Sequence, residues 1–250
     1  MTTSHEPARP VVCITQARMG SSRLPGKVML KVLGEPLLHW HIARLKLAKR
    51  IDKIVVATSN KPQDDPIAKF CRAEGIDMFR GSENDVLSRY AGAAEMANAA
   101  TVVRVTSDCP LIDPGLIDEI LAAYGALQPQ VDYLSLDVAH YPRGLDTEVF
   151  SLAVLEEAHA RATDLAEREH VTPYIYRRPE RFRLAAYNRR AAGAGQRWCV
   201  DEPGDLELVT RVIETLAPRG VGFTWRDCLD LLRANPEWLQ LNSHVAQNKV

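Results

Sequence analysis

A chain of 250 residues with 46% hydrophobic and 25% charged residues has the make-up of a soluble globular protein with a sizeable core, which excludes a disordered or fibrous chain. Its formal net charge of −1 provides no overall field to draw in nucleic acid or a membrane surface, so an anion site has to come from a local cluster. No apolar run reaches membrane-spanning length, and five scattered cysteines without CxxC spacing argue against a disulfide frame or zinc site and for a reducing cytoplasm.

In chain order, MTTSHEPARP lacks the apolar stretch of a signal peptide and is expected to be a disordered tail, residues 1–10, ahead of one domain over 11–250. Val11 to Ile14 read as a buried strand. It opens into a polar run containing Gly20, Ser21, Ser22, Pro25 and Gly26 and three cations, Arg18, Arg23 and Lys27. Small residues let backbone N–H groups approach an anion, while hydroxyls, guanidinium forks and a lysine add donors and charge. This is the chemistry of a polyphosphate cradle, although neither GxxxxGK[ST] nor GxGxxG is present. An ordinary loop with solvated charges can carry the same glycines and serines; three cations within ten residues, directly after the first strand, favour the anion site.

Pro36 to Lys49 then reads as a helix, Ile54 to Thr58 as a strand, Asp64 to Glu74 as a helix stopped by Gly75, and Ile76 to Arg80 as a strand. Asn84 to Asn98 is a predicted helix, Val102 to Thr106 a strand, and Asp113-Pro114 starts a helix to Tyr124. This alternation predicts parallel βαβ units and an α/β fold, a mostly parallel Rossmann-like sheet sandwiched by helices. Further strands are expected at Asp132–Leu136, Glu148–Phe150, Phe182–Tyr187 and Arg197–Val200. Helices are expected at Ser151–Ala162, at Asp164–Arg178 with a restart near Pro173, at Gly204–Leu216 and at Trp225–Leu232. Residues 132–187 read as an insertion on the sheet.

Asp108, after the Val102–Thr106 strand, points into the crevice that the first loop would share, because ligands of open parallel sheets sit beyond the strands' carboxyl ends. A carboxylate beside a polyphosphate calls for a bridging divalent cation, and Mg²⁺ takes one or two carboxylates plus phosphate oxygens. As a plain turn-former before Pro110, Asp108 would need no such partner. Asn84 or Asp85 fits a helix N-cap as well as a ligand contact. Arg143, Asp146 and Glu148 put one cation and two anions into a short span that suits either a sugar acid or a surface ion pair, and His170 stands in a second such cluster.

Several of these stretches resemble one family. QARMGSSRLPGK is similar to the ARxxSxRxPGK signature of the nucleotidyltransferases that make CMP-activated acidic sugars, the CMP-Kdo and CMP-sialate synthetases. SDCPLIDP resembles their GDxPLI segment and WCVDEPGDL their VDTPEDL motif, with Glu202 and Gly204 as departures. PRGLDTEVF and EREHVTPYIY resemble the SpsF-type (spore coat polysaccharide) branch. The resemblance covers residues 11 to 216 and implies a nucleotide-diphosphosugar transferase-like fold, akin to GT-A. It implies CTP and an acidic sugar as substrates, Mg²⁺ held by Asp108 and Asp201, and a homodimer through 132–187. Ala17, Arg18, Ser21, Ser22, Arg23, Lys27, Ser82, Asp85, Arg89 and Ser107 would bind the nucleotide, with Arg18, Lys27 and Asp108 catalytic. Arg143, Asp146, Glu148 and His170 would face the acceptor. Transfer from another NTP or to a sugar phosphate, glycosyl transfer from a nucleotide sugar, and nucleotide sensing without turnover stay open as alternatives.

Overall fold

The computed structural model describes residues 10–189 and 191–245; residues 1–9 of the expected tail, and 246–250, lie outside the described residues. The elements are β1 (Val11–Gln16), β2 (Lys31–Val32), β3 (Glu35–Pro36), α1 (Leu37–Leu45), β4 (Lys53–Ser59), α2 (Asp65–Glu74), β5 (Asp77–Gly81), α3 (Val86–Met96) and β6 (Thr101–Thr106). Then come α4 (Pro114–Ala126), β7 (Tyr133–Leu136), β8 (Glu148–Ser151), α5 (Leu152–Arg161), α6 (Leu165–His170), α7 (Pro173–Tyr176), β9 (Leu184–Tyr187), α8 (Pro203–Leu216) and α9 (Trp225–Ala234).

Seven strands form one sheet in the order β5-β4-β1-β6-β8-β7-β9. β1 lies between β4 and β6, parallel to both, and its Val12 to Thr15 are fully buried, as a parallel strand covered on both faces requires. β4–β5 and β7–β9 are also parallel, whereas β8 runs antiparallel to β6 and to β7. The sheet is therefore mostly parallel. Residues 132–187 supply β7, β8 and β9 and so continue the main sheet. Alternation splits the core in two. Cys13, Val56, Val103 and Val105 face α1, α2, α4, α8 and α9, while Val12, Ile14, Val55, Ala57 and Val102 face α3, α5 and α7.

Local chemistry sets the ends. Asp113, Ser151 and Thr224 cap α4, α5 and α9 by accepting backbone N–H bonds, and Gly75, at φ 64°, ends α2 in the left-handed region. Three expectations change. α1 stops at Leu45 rather than Lys49, because the next N–H groups tighten onto carbonyls three residues back: Leu47 on Arg44 at 3.0 Å and Ala48 on Leu45 at 3.1 Å. The β2–β3 hairpin was absent from the pattern; its turn uses Leu33 and Gly34 at φ 52° and 87°, and leucine seldom takes that conformation. Arg197–Val200 is no strand. Its N–H groups go to two different loops, Trp198 to Arg143 O at 2.7 Å and Val200 to Asp108 O at 2.8 Å, so no ladder propagates.

Arg44 of α1 is fully buried and donates to three carbonyls, Nε to Ile112 at 2.7 Å, Nη1 to Val221 at 2.6 Å and Nη2 to Phe223 at 2.8 Å. All five cysteines are free, and among the described residues no helix is long and apolar enough to cross a membrane.

Candidate active site

β1 and β6 meet where strand order reverses, and the loops after both open onto one cleft of about 930 Å³. The β1 loop is folded on itself. Ser21 N and Gly26 N both donate to Met19 O at 2.9 Å, and Met19 N donates to the buried Asp64 at 2.7 Å. Gly26 sits at φ 68°, where a Cβ would also press on Met19, and it turns the chain so that Lys27 points inward.

Lys27 is buried, and its Nζ lies 2.6 Å from Asp108 Oδ2 and 2.7 Å from Asp201 Oδ1. Burial pushes the Asp108 carboxyl up, but the Lys27 charge and hydrogen bond outweigh it and hold the group down at about 2. Asp201 is likewise lowered and Lys27 raised, each by the opposite charges prevailing over burial. Arg197 also pairs with Asp201, and Arg23 reaches it at 3.0 Å. Behind them the fully buried Asp205 accepts from Arg197 Nε at 3.0 Å, Asp201 N at 3.0 Å, Glu202 N at 3.1 Å and Asn242 Nδ2 at 2.9 Å. Asn242 donates to Arg197 O as well. The unusual Gly204 has a reason here: a Cβ would collide with the Leu241 carbonyl.

Among the described residues no three His, Cys, Asp or Glu side chains converge to hold a metal by themselves. Two low-pKa carboxylates fit a hard cation that draws its remaining ligands from phosphate oxygens and water, so the donor set suits Mg²⁺.

The Asp108 loop is held from beneath. Ser107 donates from N and Oγ to Gln16 O at 3.2 and 2.6 Å, and His41 Nδ1 lies 2.9 Å from Cys109 O with Nε2 3.0 Å from Thr15 Oγ1. Burial holds the His41 imidazole down at about 4, against 6.5 when free. The neutral ring thus contributes stability that is complete above pH 6.5 and lost as pH falls through about 4, a loss of about 3 kcal/mol. Urea midpoints measured across this range should fall in the wild type and fall less in His41→Gln; parallel profiles would relieve His41 of this part.

Ala17, Arg18, Ser21, Ser22, Arg23, Lys27, Arg89, Ser107, Asp108, Arg143, Asp146, Glu148, His170 and Asp201 all line the cleft. Arg18 stays exposed, 4.0 Å from Glu169. Arg89 is buried, giving Nη1 to Ser82 O and Glu83 O. Ser82 and Asp85 do not join the cleft-lining set. The Asp85 carboxylate accepts Ser88 N at 2.9 Å as the α3 cap and pairs with Arg168, and the Ser82 hydroxyl accepts Asp85 N at 3.3 Å. The Asp85 side chain is thus engaged as the cap and the Ser82 hydroxyl in the turn before it.

On the far wall, Arg143 pairs with Asp146 at 3.3 Å, and Asp146 accepts Gly144 N at 2.7 Å. Glu148 pairs with Arg104 and accepts from Tyr133 Oη and Thr172 Oγ1. His170 and Thr172 flank Val171, whose φ 74° and ψ −57° with a 2.9 Å Thr172 N to His170 O bond form a γ-turn, a strained state for a β-branched residue. Burial lowers the His170 pKa, with the nearby arginines acting in the same sense against Glu169. Sequence reading passed over Gln16, His41, Arg104, Arg197 and Thr172; a charge inside the apolar VVRVT run was the available signal for Arg104. A second cavity, of about 580 Å³ beside α4 and β9, has four alanines and two leucines in its wall and shares none of these side chains.

A family model described as Cytidylyltransferase matches residues 12–224. The spore coat polysaccharide biosynthesis protein SpsF of Bacillus subtilis is 30% identical over 234 residues, 91% of this chain and 95% of that protein. A 3-deoxy-manno-octulosonate cytidylyltransferase of Geobacter metallireducens is 28% identical over 194 residues, 67% of this chain and 75% of that protein. Among solved structures, a cytidylyltransferase from Leptospira borgpetersenii aligns with a TM-score of 0.88 at 31% identity, covering 97% of this chain and 99% of that one.

Proposed function

Since the chain belongs to the cytidylyltransferase family, we propose that it transfers CMP from CTP to the anomeric hydroxyl of an acidic 2-keto sugar and releases pyrophosphate. The observation that carries this reading is the convergence of Lys27, Asp108 and Asp201 beneath the β1 loop, at the strand ends where the sheet order reverses. The acceptor oxygen bonds to the α-phosphorus as the α–β bridging oxygen leaves with the pyrophosphate, and the hydroxyl gives up its proton. Such a displacement needs chiefly positioning and charge neutralisation.

Arg18, Arg23 and Lys27, with the Ser21 and Ser22 hydroxyls, bind the phosphates and stabilise charge on the departing pyrophosphate. Asp108 and Asp201 would hold Mg²⁺, which would supply further neutralisation of the phosphate oxygens. Arg197 and Asp205 keep Asp201 oriented, and His41 keeps the Asp108 loop in place. Arg143, Asp146 and His170 face the acceptor across the cleft. A reducing cytoplasm is the compartment proposed for it, on five free cysteines.

The test is pyrophosphate release with each of four NTPs and a panel of acidic sugars. CTP-selective release is expected, and Asp108→Asn should lower it at least about 10²-fold while the thermal melt stays cooperative. Release from another NTP in preference to CTP, or wild-type turnover by Asp108→Asn, would overturn the assignment. A glycosyltransferase working on this fold would release no pyrophosphate.

A further inference from the structure

Arg104 and Glu148 face each other across β6 and β8, on the sheet face whose apolar residues pack against α3, α5 and α7. Glu148 is saturated: besides Arg104 Nη1 it takes Tyr133 Oη and, at 2.8 Å, Thr172 Oγ1. Arg104 is not. Of its side-chain nitrogens, Nη1 alone has a hydrogen-bond partner among the described residues, and Nε is buried with none. On the same sheet face, at the end of the neighbouring β1, Gln16 Oε1 is also buried without a partner. Buried polar atoms left unpaired are costly and rare, so a free donor and a free acceptor beside one cleft point to a ligand that completes them.

Two further features agree. The strained γ-turn at Val171 fixes Thr172 onto Glu148 and His170 beside it, and such strain persists where surrounding structure enforces it, commonly at ligand clamps. The cleft wall carries seven cationic and five carboxylate side chains among the described residues, although the whole chain is net −1. An anion is therefore favoured there.

We propose that Arg104 and Gln16 form the acceptor-recognition subsite. Arg104 donates to the sugar's carboxylate through the nitrogens that Glu148 leaves free, and Gln16 Oε1 accepts from an adjacent sugar hydroxyl. Glu148 is then a positioning residue that holds the guanidinium, and it does not itself bind the sugar. This inference rests on the reaction proposed above.

The experiment uses the full chain, CTP, and a panel of 2-keto sugar acids that includes 3-deoxy-manno-octulosonate, each beside its methyl ester. The variants are Arg104→Lys, the double variant Arg104→Gln with Glu148→Gln, which leaves neither charge buried alone, Glu148→Gln and Gln16→Ala. Wild type should prefer the acid to the ester. The double variant should raise KM for the acid about tenfold or more and erase the preference, with CTP affinity by calorimetry and the melting temperature unchanged. Arg104→Lys keeps charge without the fork and should fall between. Glu148→Gln should raise KM for the acid while kcat holds. Gln16→Ala should raise KM for acid and ester alike. Variants that keep the wild-type preference, or a wild type that uses the ester or a sugar phosphate equally well, would overturn the subsite while leaving CMP transfer intact. No pyrophosphate from CTP with any acceptor would instead overturn the reaction and this inference with it.

Discussion

Replacing Lys27 by Met is expected to cost about 3–5 kcal/mol of folding stability at pH 7 and to lower pyrophosphate release at least about 10²-fold. The two effects have one origin. The Lys27 ammonium lies 2.6 and 2.7 Å from Asp108 and Asp201; Lys27 is buried and the two carboxylates are partly so. Without it two carboxylates confront each other with only Arg23 and Arg197 to offset them, both on the Asp201 side. A buried charge stripped of its partner is far more costly than the pair was worth. Two signatures separate this from a simple packing defect. The loss should shrink in acid, where protonating one carboxylate relieves the repulsion, and millimolar Mg²⁺ should recover part of it. Chemical denaturation at pH 7 and pH 4, with and without Mg²⁺, checks both. A variant within about 0.5 kcal/mol of wild type at pH 7 would mean that the cluster is relaxed by other groups.

The second large effect lies away from the cleft. Arg44→Met is expected to destabilise the protein by about 3–5 kcal/mol, with kcat of the folded enzyme close to wild type. The guanidinium pins α1 to the carbonyls of Ile112, Val221 and Phe223 and stacks 3.9 Å over the Phe223 ring. Met replaces the stem but takes the guanidinium donors from two buried acceptors and one part-buried one. Arg44→Lys should be nearly as harmful, because an ammonium cannot address three carbonyls in the plane of a fork. Urea denaturation followed by circular dichroism measures this; a loss under about 1 kcal/mol would show that water takes over the carbonyls.

The contrast between these residues also explains what the sequence revealed. The three apolar runs that became β1, β4 and β6 and the amphipathic stretches between them were legible, because burial on both faces of a parallel sheet leaves little room for polar residues. The β1 loop cations and Asp108 were legible because charge and small residues cluster locally in the chain. What stayed hidden depends on distant partners. Arg104 makes sense only against Glu148 across the sheet, and Arg44 only against a segment 177 residues away. Asp85 had two readings of equal local merit, cap or ligand contact, and its side chain takes up the α3 N-cap and a pair with Arg168, 83 residues further on. Backbone conformations also resist reading where the residue is atypical, as at Leu33 and Val171.

The Asn242 contact sets the order in which the site can come into being on the ribosome. Arg18, Lys27 and Asp108 are translated early, yet Arg197 and Asp205 are clasped by Asn242, beyond residue 224 where the family match stops. Asp205, which accepts the Asp201 N–H, is therefore itself held by a residue that is translated after it. Lys27 and Asp201, 174 residues apart in the chain, can meet only after the second of them has been made.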